Sequence, residues 1–226
     1  MPTSYSTEGR SVRADKSCGL TAVRGFSLIE VLIVVSIMFI AAAVVIPTAS
    51  TALRGIRLSS SGASYADLLQ QARVRAVRDD RYYSVISVPA TSSAPGSAFV
   101  DLNGNGKYDP DQHEPEMVFA QSVTPKSLDS GPALTNLESA FLPPGQASVD
   151  SVNAGRAANG PTFGPRGLPC TPTTTGGYTT CPFLTATSYV TFIQNTDGGA
   201  WEAVTVTPAG RIREWRYDGT NWSPLD

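Results

Sequence analysis

The run Gly25-Phe26-Ser27-Leu28-Ile29-Glu30-Val31-Leu32-Ile33-Val34-Val35-Ser36-Ile37-Met38-Phe39-Ile40-Ala41-Ala42-Ala43-Val44-Val45-Ile46 holds a single ionisable side chain, Glu30. From Phe26 to Ile46 it counts 21 residues. At about 1.5 Å per helical residue, that length spans the roughly 30 Å hydrocarbon core of a bilayer. The segment is expected to cross a membrane as a helix. A carboxylate in such a segment is costly in lipid, and two readings fit Glu30: a functional group with a partner, or a side chain that snorkels to the headgroups. Positive charge just ahead of the run, at Arg10, Arg13, Lys16 and Arg24, places that side in the cytoplasm and everything after Pro47 outside.

Residues 1–25 are polar and contain no apolar h-region, so they do not read as an ordinary secretory signal peptide. Arg24-Gly25-Phe26-Ser27-Leu28-Ile29-Glu30 before an apolar helix resembles the type III signal of type IV prepilins and type II secretion pseudopilins. The resemblance implies that a prepilin peptidase cuts after Gly25 and methylates the new terminal amine on Phe26. It also implies that Glu30, the fifth mature residue, serves in assembly and that Pro47 bends the helix. The organisation expected is a cytoplasmic leader over 1–25, a membrane and filament-core helix over 26–46, an amphipathic helix over 47–81 and a β-rich domain over 82–226.

The chain has 226 residues and a formal charge of −2. Taking away the 4 basic and 2 acidic residues of the leader leaves 13 against 17, a mature charge of −4. Such a chain has room for one medium domain with a real core beyond its anchor. Its acidity excludes bulk binding of a polyanion, so any nucleic-acid role must come from a local basic patch. Of the three cysteines, Cys18 lies in the leader, while Cys170 and Cys181 bracket a loop rich in Thr, Pro and Gly. Outside the membrane that pair reads as a disulfide. A bridge over roughly a dozen residues contributes about 3 kcal/mol by loop-closure entropy. A metal or redox pair would need a CxxC spacing or nearby histidines, and neither is there.

Beyond Pro47, Leu53, Ile56, Tyr65, Leu68, Leu69, Ala72, Ala76 and Val77 recur at helical steps, with Arg54, Arg57, Asp67, Arg73, Arg75, Arg78 and Asp79 between them. This predicts an amphipathic helix packed on the following domain. The arginine row reads as a solvated face or as a surface for DNA. Ser59-Ser60-Ser61-Gly62 is a poor helix former, and together with Pro47 it predicts that the helix bends or locally loosens. Short β-type runs follow: Tyr82 to Val88, Ser97 to Leu102, Glu116 to Val123, Ser188 to Gln194, Glu202 to Thr207 and Arg211 to Tyr217. Pro208-Ala209-Gly210 turns the last two into a hairpin, and Leu134 to Phe141 reads as a short helix. The fold class expected is α+β, with one long N-terminal helix on an antiparallel sheet.

Two stretches carry candidate chemistry. Asp101, Asn103, Asn105 and Asp109, with Gly106, reproduce most of a calcium loop, although Gln112 stands where a bidentate glutamate is expected, and Glu114 or Asp111 would have to replace it. A metal-free turn built on Asx geometry fits the same residues. In Gly210-Arg211-Ile212-Arg213-Glu214-Trp215-Arg216-Tyr217, alternation puts Arg211, Arg213, Trp215 and Tyr217 on one face, where arginines and aromatic planes can meet phosphates and bases. An exposed hairpin with half-buried aromatics fits equally. Ala72-Arg73-Val74-Arg75-Ala76, Phe163-Gly164-Pro165-Arg166-Gly167 and Gly210-Arg211-Ile212-Arg213 resemble segments of minor pilins of the FimT and FimU type and of the GspH pseudopilin. For FimT-like proteins that resemblance implies DNA binding through Gly210, Arg211 and Arg213. Partners implied are other pilins or pseudopilins, the prepilin peptidase, the inner membrane and DNA. His113, the single histidine, sits in an acidic loop, so no Ser/His/Asp set or histidine metal cluster can be assembled and no enzyme is expected.

Overall fold

The computed structural model describes residues 26–127, 130–134, 136–137, 149–151, 160–175, 178–180 and 188–225. The expected leader lies outside them, as does Cys181. Among the described residues one long helix, α1 (Leu28–Asp79), is followed by thirteen short strands, giving an α+β fold with two main antiparallel sheets. The chain divides into two compact units, Met1–Val45 and Ile46–Asp226.

In the first unit, α1 starts as the Ser27 carbonyl accepts the amides of Glu30 and Val31. Its large apolar side chains with a described environment are open, from Val35 at 43% to Leu28 at 83% exposure. The helix is long and apolar enough to cross a membrane, and none of its most apolar window is buried within the chain.

In the second unit, the domain part of α1 lies against two sheets. One runs β3-β2-β1-β6-β7, from β1 (Tyr83–Val88), β2 (Ser97–Asp101), β3 (Glu116–Val118), β6 (Thr162–Phe163) and β7 (Pro169–Cys170). The other runs β13-β12-β11-β10-β4, from β4 (Val123–Lys126), β10 (Ser188–Asn195), β11 (Trp201–Val206), β12 (Ile212–Tyr217) and β13 (Trp222–Pro224). A further strand, β5 (Val149–Ser151), pairs in parallel with Ser188–Val190 while β4 pairs antiparallel with Phe192–Asn195, so the two share successive parts of one edge of β10. A separate hairpin, β8 (Thr173–Thr175) with β9 (Tyr178–Thr180), completes the set.

Helix and sheets enclose one core. Leu58, Tyr65, Leu68, Leu69, Ala72 and Ala76 of α1 are buried with Val85, Val100, Phe163, Tyr189, Ile193, Val204 and Val206. Each leucine fully buried in this way stabilises the fold by about 1.5–3 kcal/mol. Tyr65 joins helix to both sheets, since its hydroxyl lies 3.1 Å from Thr191 Oγ1 and accepts from Ser87 Oγ. A second cluster, with Val190, Phe192, Trp215, Trp222 and Leu137, fills the opposite face of the β10–β13 sheet.

The expected apolar stripe is corrected at its ends. It begins at Leu58, while Leu53, Ile56 and Val77 are more than half exposed. The loosening expected at Ser59–Gly62 is absent, and α1 continues through it. The reason is packing: Leu58, Ser61 and Gly62 are buried, and Ser61 Oγ accepts the amide of Ala120. The single strand expected over Glu116–Val123 is two, because Phe119–Ser122 turn between the sheets and Ser122 sits at φ 64°. Of the helix expected over Leu134–Phe141, Asn136 and Leu137 are helical and positions 138–141 lie outside the described residues.

Candidate functional site

The three diffuse segments of resemblance, far apart in sequence, meet at one side chain. Arg73 projects from α1 and donates from Nε to the Gly167 carbonyl and from Nη1 to the Gly210 carbonyl, both at 2.9 Å. Both glycines have left-handed backbone, φ 70° and 77°. A Cβ on Gly210 would stand 2.7 Å from the Gly167 carbonyl oxygen and 3.2 Å from the Arg73 guanidinium carbon. Glycine is thus required twice over, by conformation and by close approach. Arg73 therefore leaves the expected solvated row: it ties two loops to the helix.

Beyond Gly210 the hairpin forms as expected. Gly210 N donates to Thr207 O at 2.8 Å, and Val206 pairs with Ile212. Arg211 is exposed, whereas Arg213 is half-buried with its guanidinium carbon 5.9 Å from the centre of the Trp215 ring. Trp215 itself is buried, its indole donating to Thr205 Oγ1 at 2.9 Å. Trp222 stacks on Phe192 at 5.4 Å and donates to the Ala133 carbonyl. The aromatic half of the expected base-stacking face is therefore taken by the core, because Ala133, Leu134 and Leu137 pack on that side of the sheet. What stays open at this end is charge, at Arg211 and Arg166.

The Asp101 loop closes on its own groups. Asp101 accepts from Gly104 N and Gly106 N, Asn103 from Asn105 N, and Asn105 from Lys107 N. Asp109 accepts from the side-chain amides of Asn103 and Asn105. Glu114, 4% exposed, clamps both ends: Leu102 N donates to its Oε1 at 2.9 Å and Asp109 N to its Oε2 at 2.8 Å. Among the described residues, no group of three or more His, Cys, Asp or Glu side chains is arranged to hold a metal ion. A cleft of about 480 Å³ lies between this loop and Asp80–Ser84. His113 is exposed in the same loop, in left-handed backbone at φ 55°.

A third arrangement was not singled out by the sequence. Glu202, 1% exposed, faces α1 from β11, and its Oε1 accepts from Arg216 Nη2 at 2.6 Å and Nε at 3.2 Å. Its Oε2 is buried with no hydrogen-bond partner among the described residues. Burial pushes the Glu202 carboxyl above the ordinary glutamate value, with Arg216 pulling the other way. Burial also raises the neighbouring Glu214, and the charges of Glu202 and Asp67 add to that rise. The available signal was Gly62, a glycine inside a helical pattern, which marks close approach of another element.

Of the remaining expected residues, Gly25 lies outside the described ones, Phe26 is 81% exposed, Glu30 is exposed in the first turn of α1, and Pro47 falls within α1. Cys170 is disulfide-bonded. Cys181, its expected partner, lies outside the described residues. Comparison with protein-family models, curated proteins and solved structures found no match.

Proposed function

We propose that the protein is a filament subunit of the minor pilin kind, made as a membrane-anchored precursor and polymerised through α1. The observation that carries this is the open apolar helix: between Phe26 and Ile46 no large apolar side chain with a described environment is less than 43% exposed, and Glu30 stands in the first turn. Lipid or other helices must cover that surface. Cleavage after Gly25 would leave the Phe26 amine one helical turn from Glu30, where amine and carboxylate of the same or a neighbouring subunit offset each other's desolvation. A disulfide at Cys170 fits a domain outside the cytoplasm. The same architecture serves a type II secretion pseudopilus of the GspH type.

The test separates insertion from assembly. Glu30→Ala is expected to insert in the membrane and be cleaved normally, yet to be missing from sheared filaments. Normal incorporation of that variant would sink the reading, and uncleaved Gly25 in the wild type would sink the processing step before it.

A second role, DNA capture, is favoured by the exposed Arg211 beside the Arg73-locked Gly210. With Trp215 buried, such binding must be electrostatic and fall steeply with salt. Gel shifts of the detergent-solubilised chain, with and without Arg211→Ala, decide it; no shift at low salt removes DNA and leaves the filament role.

A further inference from the structure

Glu202 is a buried charge that the fold leaves half satisfied. The missing partner is aimed at a definite place. A Cβ on Gly62 of α1 would stand 2.7 Å from Glu202 Oε2 and 3.5 Å from Glu214 Oε2, so both oxygens look at the same point of the helix. On the sheet the two glutamates are diagonal neighbours on one face, since Glu202 pairs with Arg216 and Val204 with Glu214. The charged groups around them are Arg216 from β12 and Asp67 from α1. Arg216 is committed to Glu202 Oε1, and the Glu214 carboxyl has no ion pair among the described residues. Two carboxylates against one guanidinium leave a net negative charge beneath the helix. Two carboxylates and a helix mid-section offer too few oxygens for a divalent cation, whereas a proton needs only one.

We propose that Glu202 and Glu214 hold one proton between them and form a pH-operated latch on the seam between α1 and the β10–β13 sheet. Arg216 on Glu202 Oε1 opposes part of the burial that favours a proton there, whereas Glu214 has no ion pair among the described residues, so the proton falls to Glu214. With the proton held, Arg216 balances Glu202, only the exposed Asp67 adds charge nearby, and the helix sits on Glu202 through the side-chain-free Gly62. Once it is lost, Glu214 faces Glu202 and Asp67 as a third negative charge, and the helix around Ser59–Tyr65 loosens from the sheet. The sign follows from the environment: burial and both carboxylates raise the folded-state value of Glu214 above that of an open chain. The contribution is therefore full below the ordinary glutamate range and is lost as pH rises through the raised value. The latch needs no filament, and its test stands apart from the assembly test.

The test is amide hydrogen exchange of the full chain in detergent, read at residues 59–65 from pH 4.5 to 8 and corrected for the intrinsic pH dependence of exchange. In the wild type, corrected protection should fall with rising pH by up to about tenfold per unit while the proton is leaving. Glu214→Gln, which keeps size and removes the titration, should hold protection constant. Amides of β1 and β2, away from the seam, should not change in either protein. The proposal is overturned by flat protection in the wild type, by an unchanged pH dependence in Glu214→Gln, or by magnesium restoring protection at pH 8, which would make the pair a cation site.

Discussion

Among the described residues two glutamates are buried, Glu114 and Glu202, and the fold treats them oppositely. Glu114 has both oxygens engaged by backbone amides, Leu102 N and Asp109 N. Glu202 has one oxygen on Arg216 and the other facing a helix with nothing to accept. Burial alone therefore does not say what a carboxylate is for. A saturated carboxylate behaves as a covalent-like tie, because removing it strands the donors that pointed at it. A half-saturated one leaves buried negative charge whose repulsion a proton on a neighbouring carboxyl, here Glu214, can relieve. The Asp101 loop is accordingly a fixed structure, and the seam at Gly62 is the adjustable one.

The sharpest way to break this contrast is at the tie. Glu114→Ala strands two part-buried amides that were bonded to a charge, and should cost about 3 kcal/mol in urea unfolding of the full chain. A cost below about 1 kcal/mol would mean that water replaces the carboxylate and that the loop is no more fixed than the seam. Next in size is Gly62→Ala. In an exposed helix this change stabilises by about 1 kcal/mol. Here the new methyl meets Glu202 Oε2, and overpacking costing about 1–3 kcal/mol should reverse the sign. In a Glu202→Ala background the penalty should vanish and the helix gain return, a coupling that a double-mutant cycle reads directly. An unchanged effect of Gly62→Ala in that background would show that Glu202 does not press on the helix.

The contrast also explains what could be read from the chain alone. The membrane-competent helix, the buried stripe from Tyr65 to Ala76, β1, β2, β10 and the β11–β12 hairpin are local signals: an apolar run, a helical or two-residue period, and a Pro-Ala-Gly turn. Short strands such as β6, β7 and β13 are two or three residues long and exist through their neighbours, so no period announces them. Site residues follow the same rule. Asp101 to Asp109 is legible because alternate oxygens lie within one loop, and Glu114 was legible as a replacement ligand but not as a clamp. Arg73 looked like one of a row of solvated arginines, because its partners are carbonyls 94 and 137 residues away. Trp215 looked available for stacking because Leu134 and Leu137, which pack in the same cluster, have no sequence link to β12. Glu202 looked like an ordinary strand residue, and only the register with Arg216 and the facing Gly62 set it apart.

The smallest expected effect tests whether the seam senses charge at a distance. Asp67 lies on α1, is exposed, and raises Glu214 only through its field, after burial and Glu202. Exposed charges act weakly through water. Asp67→Asn should therefore leave neutral-pH stability within about 0.5 kcal/mol of wild type. It should also move the loss of protection at residues 59–65 to slightly lower pH, because Glu214 then gives up its proton more readily. The shift should shrink further in high salt, which screens an exposed charge more than the interaction of buried Glu202 with half-buried Glu214. If Asp67→Asn moves the transition as far as Glu214→Gln removes it, the helix charge rather than the buried pair controls the seam. The half-satisfied glutamate would then be a bystander, and its likeness to Glu114 closer than the geometry implies.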